Sequence, residues 1–164
     1  MQTDLEQAQR RDLAAFNRMI AAHQAQIYTL SYRALGDEQA AVEAVQTAVG
    51  RARAEFGRHT VGKVQIWLLR KAVAACRERL RVPVATSDGP AVGANGAMEP
   101  RLQRGLCRLP MDLRLAVLLV DVAGLGYAEA CEVLDASREQ VIRWVAAARA
   151  QLIEEVSERP SLSR

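Results

Sequence analysis

The chain has 164 residues, half of them hydrophobic, and a formal net charge of +3. That length holds one medium domain or two small ones, and a 4 % aromatic content with Ala, Leu, Val and Arg dominant favours helices over a β sandwich. No run of about 18 apolar residues is available to span a bilayer, no basic start followed by an apolar segment marks a secretory signal, and Cys76, Cys107 and Cys131 lie too far apart for a disulfide framework or a CxxC metal knuckle; a cytoplasmic home is expected.

The charge is divided unevenly. Residues 1–82 hold 13 Lys or Arg against 8 Asp or Glu, a balance of +5, while residues 83–164 hold 9 against 11, a balance of −2. The first helix is predicted to start near Asp4 or Asp12 and run to Leu35, because Phe16, Met19, Ile20, His23, Ile27, Leu30 and Ala34 follow the helical repeat. Gly36 offers its stop, and Asp37 begins the next element. His23 lies on the apolar stripe with no second ligand one turn away, so it reads as a packing residue and not as a metal ligand. A second helix, about Asp37 to Phe56, places Ala41, Val45, Ala48, Val49, Ala52 and Phe56 on one face. Gly57, His59, Thr60 and Gly62 then break the pattern as a loop.

The third helix is predicted over Lys63 to Val82, with Val64, Trp67, Leu68, Ala72, Ala75 and Leu80 on its apolar side. Arg70, Lys71, Arg77, Arg79 and Arg81 occupy the rest. Such a run is commonly a solvated face, yet beside Trp67 it is the chain's most credible nucleic-acid surface. From Pro83 to Pro100 the sequence PVATSDGPAVGANGAMEP has no helical repeat and is rich in Pro, Gly, Ser and Asn, so it reads as a flexible linker. Two small helical units flank it.

After the linker, Leu102, Leu106 and Leu109 mark a short helix that Pro110 ends or restarts, and Leu113, Ala116, Val117 and Val120 mark another, closed by Gly124 and Gly126. Tyr127 to Leu152 then reads as two helices joined by a tight turn. Asp135 stands where the turn wants a residue tolerant of the left-handed region, and Ser137 is an N-cap candidate for the second helix. That helix carries Val141, Trp144, Val145, Ala148 and Leu152 at helical spacing, with Arg138, Gln140 and Arg143 away from the stripe. This is the layout of a helix-turn-helix, whose second helix turns its N-terminal residues to base edges in the major groove. Periodicity fits an ordinary helical hairpin equally well. The tail from Ser157 to Arg164 reads as disordered.

Several strings in order carry a resemblance: HQAQIYTLSYRALGD (23–37), AVEAVQTAVGRAR (41–53), IWLLRKAVAACRERLR (66–81) and LPMDLRLAVLLVDVAGLGYAEACEVL (109–134). The last is the most specific, with Leu109-Pro110, Arg114, Asp121-Val122, Gly124-Leu125, Tyr127, Glu129 and Ala130 all in step. Together they resemble the extracytoplasmic-function sigma factors, small bacterial initiation factors built from a region 2 domain, a linker and a region 4 domain. The resemblance implies an all-α fold with a region 2-like three-helix unit at 1–82, a linker at 83–100, a region 4-like helix-turn-helix unit at 101–156 and a disordered tail at 157–164.

It also implies the partners: core RNA polymerase, promoter DNA and an anti-sigma factor, with no small-molecule substrate, no cofactor, no metal and no catalytic residues, so not an enzyme. The face of Glu43, Gln46 and Thr47 corresponds to the family's polymerase grip, although the usual Asp is Glu43 and the acid after Gln46 is lost. Arg70, Lys71, Arg77 and Arg81 are left for the −10 strand, because Ala74 and Glu78 stand where the family carries Asn and Asp. Ser137, Arg138, Gln140, Val141, Arg143 and Trp144 are left for −35 DNA, with Ile142 in place of Lys and with Trp144 and Ala146 in place of Arg. These departures keep an alternative open: a degenerate sigma-like protein that binds an anti-sigma or co-sigma partner and touches DNA weakly. A stand-alone helix-turn-helix repressor explains 109–152 and leaves the first half without purpose.

Overall fold

The computed structural model describes residues 2–56, 63–81 and 100–157, with the side chains of 12–56, 63–80 and 100–157. Helices α1 (Gln2–Leu35), α2 (Glu38–Glu55) and α3 (Val64–Arg81) precede α4 (Pro100–Arg108), α5 (Met111–Val117), a π-helical turn (Leu118–Val122), α6 (Tyr127–Leu134) and α7 (Arg138–Ser157). The described residues contain no strand, as an all-α chain requires. The expected loop at 57–62, linker residues 83–99 and tail residues 158–164 lie outside the described residues. At their edges, Pro100 opens α4 and Ser157 closes α7.

Local chemistry sets the helix ends where the sequence signals them. Gly36 takes φ 70° and donates its N–H to the Tyr32 carbonyl at 2.7 Å, a left-handed stop that costs a residue with a Cβ. Asp37 caps α2, its Oδ1 accepting from the Ala40 N–H at 2.7 Å. Five alanines, Ala40, Ala41, Ala44, Ala48 and Ala52, form the buried face of α2. Small side chains there let the backbones of α1 and α3 come close. Those helices supply the bulk: Ile27 and Leu30 from α1, and Trp67, Leu68, Leu69 and Val73 from α3, are all buried. Phe16 meets Phe56 edge to face at 5.2 Å between ring centroids.

In the second half, the single regular helix expected over 113–120 is not what forms. The last turn widens, with the Ala123 N–H donating to Leu118 O at 2.9 Å and the Leu125 N–H to Leu119 O at 3.0 Å. Leu118, Leu119 and Leu125 thereby stay buried while Asp121 and Val122 turn outward. A hydrophobic repeat cannot announce such a change, because an extra residue per turn leaves the apolar composition untouched.

The two halves share one continuous buried cluster. α6 seats on α3, and α1 runs against α4, α5 and the π turn. Arg114 lies at this junction, 7 % exposed. Its guanidinium donates to Ala34 O at 2.5 Å from one half, and to Cys107 O at 2.5 Å and Leu109 O at 2.9 Å from the other. Burial lowers its pKa from the ordinary value, but an arginine stays charged in a protein, and carbonyls at the C-terminal ends of α1 and α4 are where a cation is favoured. Gly36 completes the contact: a Cβ there would lie 2.5 Å from Cys107 Sγ.

Two stability measurements test this junction. Gly36→Ala is expected to cost about 1–2 kcal/mol for the left-handed backbone alone, lowering the thermal midpoint by about 3–6 °C, with the Cys107 clash adding to it. Arg114→Ala strands three carbonyls and is expected to cost about 3 kcal/mol in denaturant unfolding; Arg114→Lys, which can reach fewer of them, should recover only part of that.

Candidate nucleic-acid interface

The helix-turn-helix of α6 and α7 is fixed by its own backbone chemistry. Asp135 occupies the left-handed region at φ 53°, and the Ala136 N–H returns to Cys131 O at 3.2 Å. Ser137 and Gln140 cap α7 reciprocally: Ser137 Oγ accepts from the Gln140 N–H at 3.2 Å, and Gln140 Oε1 accepts from the Ser137 N–H at 3.1 Å. Val133 and Leu134 of α6 and Val141, Val145 and Ala148 of α7 are buried. The angle between the two helices is therefore set by packing.

The opposite face of α7 is open. Arg138, Glu139, Gln140, Ile142, Arg143 and Ala146 are all exposed, so the first two turns project side chains outward, as a recognition helix must. Arg143 lies one turn from Glu139, 4.0 Å away and exposed, a loose pair of little energetic weight. Arg149 is differently placed. It binds Asp121 through two hydrogen bonds of 3.0 and 2.5 Å, which raise its pKa above the ordinary value and tie α7 back to the π turn. Of the residues assigned to −35 DNA, Val141 must be withdrawn: it is 0 % exposed, in the core. Trp144 is half-buried against the same core. Gln140 is engaged as the cap.

The cationic side of α3 is largely spoken for. Arg70 is exposed, but Lys71 binds Glu55 at 2.5 Å and Arg79 pairs with Glu43. Arg77 reaches across to the second half, donating to Asp112 Oδ1 at 3.0 Å and to Leu134 O at 3.4 Å. Arg77 thus serves the junction in this arrangement and does not face outward as an open cation. The side chain of Arg81 lies outside the described residues. Glu78 holds Arg51 through two bonds of 2.9 and 2.7 Å, and Trp67 is 8 % exposed, in the core and away from any base. Spacing places these cations on one helix, but the carboxylates that claim them come from other elements and carry no local signal.

On α2, Glu43 accepts from Gln39 Nε2 at 3.0 Å and pairs with Arg79, while Gln46 and Thr47 are exposed beside it. At the other edge, Lys63 pairs with Glu129. That contact, with the Gly126 N–H at 3.2 Å, holds the Glu129 carboxyl below its ordinary value. Among the described residues, no group of His, Cys, Asp and Glu could hold a metal ion, and no helix is long and apolar enough to cross a membrane.

Comparison with known proteins agrees with this architecture. The family described as Sigma-70, region 4 matches residues 100–152. The chain is 31 % identical over 150 residues to the ECF RNA polymerase sigma factor SigM of two strains of Mycobacterium tuberculosis, a match spanning 86 % of this chain and 76 % of the relative. Its fold is similar to that of the sigma factor RpoE, solved in complex with the anti-sigma factor NepR from Bartonella quintana, with a TM-score of 0.76 and 18 % identity over 88 % of this chain and 99 % of that one.

If the open face of α7 meets duplex, Arg143 on that face and Arg149, tied to Asp121, should behave differently in an anisotropy titration. Arg143→Ala is expected to reduce the slope of log affinity against log salt by about 0.9, the value of one phosphate contact. Arg149→Ala should leave the slope unchanged and instead lower the thermal midpoint, because its partner is Asp121.

Proposed function

The chain belongs to the extracytoplasmic-function sigma factors, and from that membership we propose that it carries core RNA polymerase to a promoter through two grips. Residues 1–82 hold the polymerase and the −10 strand, residues 83–100 link, and residues 101–156 read the −35 duplex. The open face of α7, with Arg138 and Arg143 exposed on a capped and packed helix, carries this reading. Gln46 and Thr47, with Glu43 held by Arg79, form the face offered to polymerase. The chain itself does no bond-making; the polymerase does the chemistry, in the cytoplasm.

The docked arrangement adds a requirement. The −10 and −35 elements lie more than two duplex turns apart, at about 34 Å per turn, whereas α6 sits directly on α3. Binding both elements therefore parts the two halves and releases Arg77 from Asp112 and Leu134. Arg77 is then available to the −10 strand with Arg70 and Arg81, while Lys71 must exchange Glu55, its partner in the same half, for phosphate to join the cationic track. A protein partner that favours the docked form would hold the factor silent. An anti-sigma factor suits that role, with the apolar groove of Leu102, Val117, Leu152, Ile153 and Val156 as a place to dock.

The test is co-purification with core polymerase followed by transcript mapping. Specific start sites in the presence of this chain are the expected result, with Gln46→Ala weakening the association. Failure to bind core polymerase would overturn the proposal.

A further inference from the structure

Ile142 is the one bulky apolar side chain on the open face of the first two turns of α7. It is 44 % exposed, while Val141 before it and Val145 after it are 0 % exposed. Arg138 stands one turn before it and Ala146 one turn after, on the same row, with Glu139 and Arg143 alongside. A single exposed isoleucine is ordinary on a protein surface. Its place in the reading turns of a helix-turn-helix is not, because those turns meet base edges.

On the major-groove side, guanine and adenine present donors and acceptors and cytosine a donor beside a bare C5–H, whereas thymine alone adds a projecting 5-methyl group. Setting an isoleucine against a donor or acceptor strips water from that group and returns no hydrogen bond, which is costly. Setting it against a methyl buries apolar surface on both sides. Resting on the function proposed above, we infer that Ile142 is a specificity-determining residue that selects thymine at one position of the upstream promoter element by contact with its 5-methyl group. Ala146, small and exposed one turn further on, leaves room for the base edge to approach.

The experiment uses the full chain assembled with core polymerase. Bound promoters are selected from a library randomised in the upstream element, and each thymine of the enriched sequence is then replaced by deoxyuridine, which removes only the methyl. The expected result is one thymine at which wild-type affinity falls about fourfold, the factor for burying one methyl-sized group. Ile142→Ala should bind the thymine duplex that much more weakly and be indifferent to the methyl. Ile142→Lys should also be indifferent while steepening the salt dependence, so a lost methyl response cannot be mistaken for a lost fold. An enriched element with no preferred thymine, a wild-type protein indifferent to every methyl, or an Ile142→Ala protein that keeps the full methyl response would each remove the assignment and leave the promoter-binding function standing. Enrichment of no sequence at all would remove both.

Discussion

A single buried guanidinium ties the two halves of this chain together. Arg114 takes carbonyls from the C-terminal end of α1, from α4 and from the residue after it, and no carboxylate is among those acceptors. A cation held only by carbonyls depends on geometry, since each acceptor must sit in reach of the planar fork. That geometry in turn depends on Gly36, whose left-handed turn ends α1 at the right place and whose missing Cβ admits Cys107. Beside this junction α6 seats on α3, where Arg77 donates to the Leu134 carbonyl.

The same docking decides what the charges are free to do. On sequence alone the cations of α3 form a basic surface, yet Lys71, Arg77 and Arg79 all lean on carboxylates brought in by α2 and α5. These pairs are partly exposed, and solvent screening keeps their contribution to stability small. In this arrangement Arg77 is matched by Asp112 of the second half, and Lys71 and Arg79 by Glu55 and Glu43 of the first.

The departures from the family pattern gain meaning from where they fall. Val141 lies in the core of the second half and Trp144 packs against it, so Trp144, where the resemblance leads one to expect Arg, serves packing. Ile142 lies outward and Gln140 is engaged in the cap.

The sequence by itself determined the helices and, outside the π turn that follows α5, their ends. Gly36, Asp37, Asp135 and Ser137 each act through bonds to residues within five positions, so their signals are local and readable. It also determined the family, because the strings around Leu109-Pro110, Arg114 and Tyr127 keep their order and spacing. What only the tertiary structure decided was the π turn at Leu118, the claims of Glu55, Glu43 and Asp112 on the cations of α3, and the closing of the two halves around Arg114; the burial of Val141 was already legible in its place on the apolar stripe of α7. The π turn is local but leaves the apolar pattern unchanged, whereas the pairing of Arg77 with Asp112 or of Arg114 with Ala34 joins groups far apart in the chain and leaves no periodicity or spacing by which a linear reading could find it.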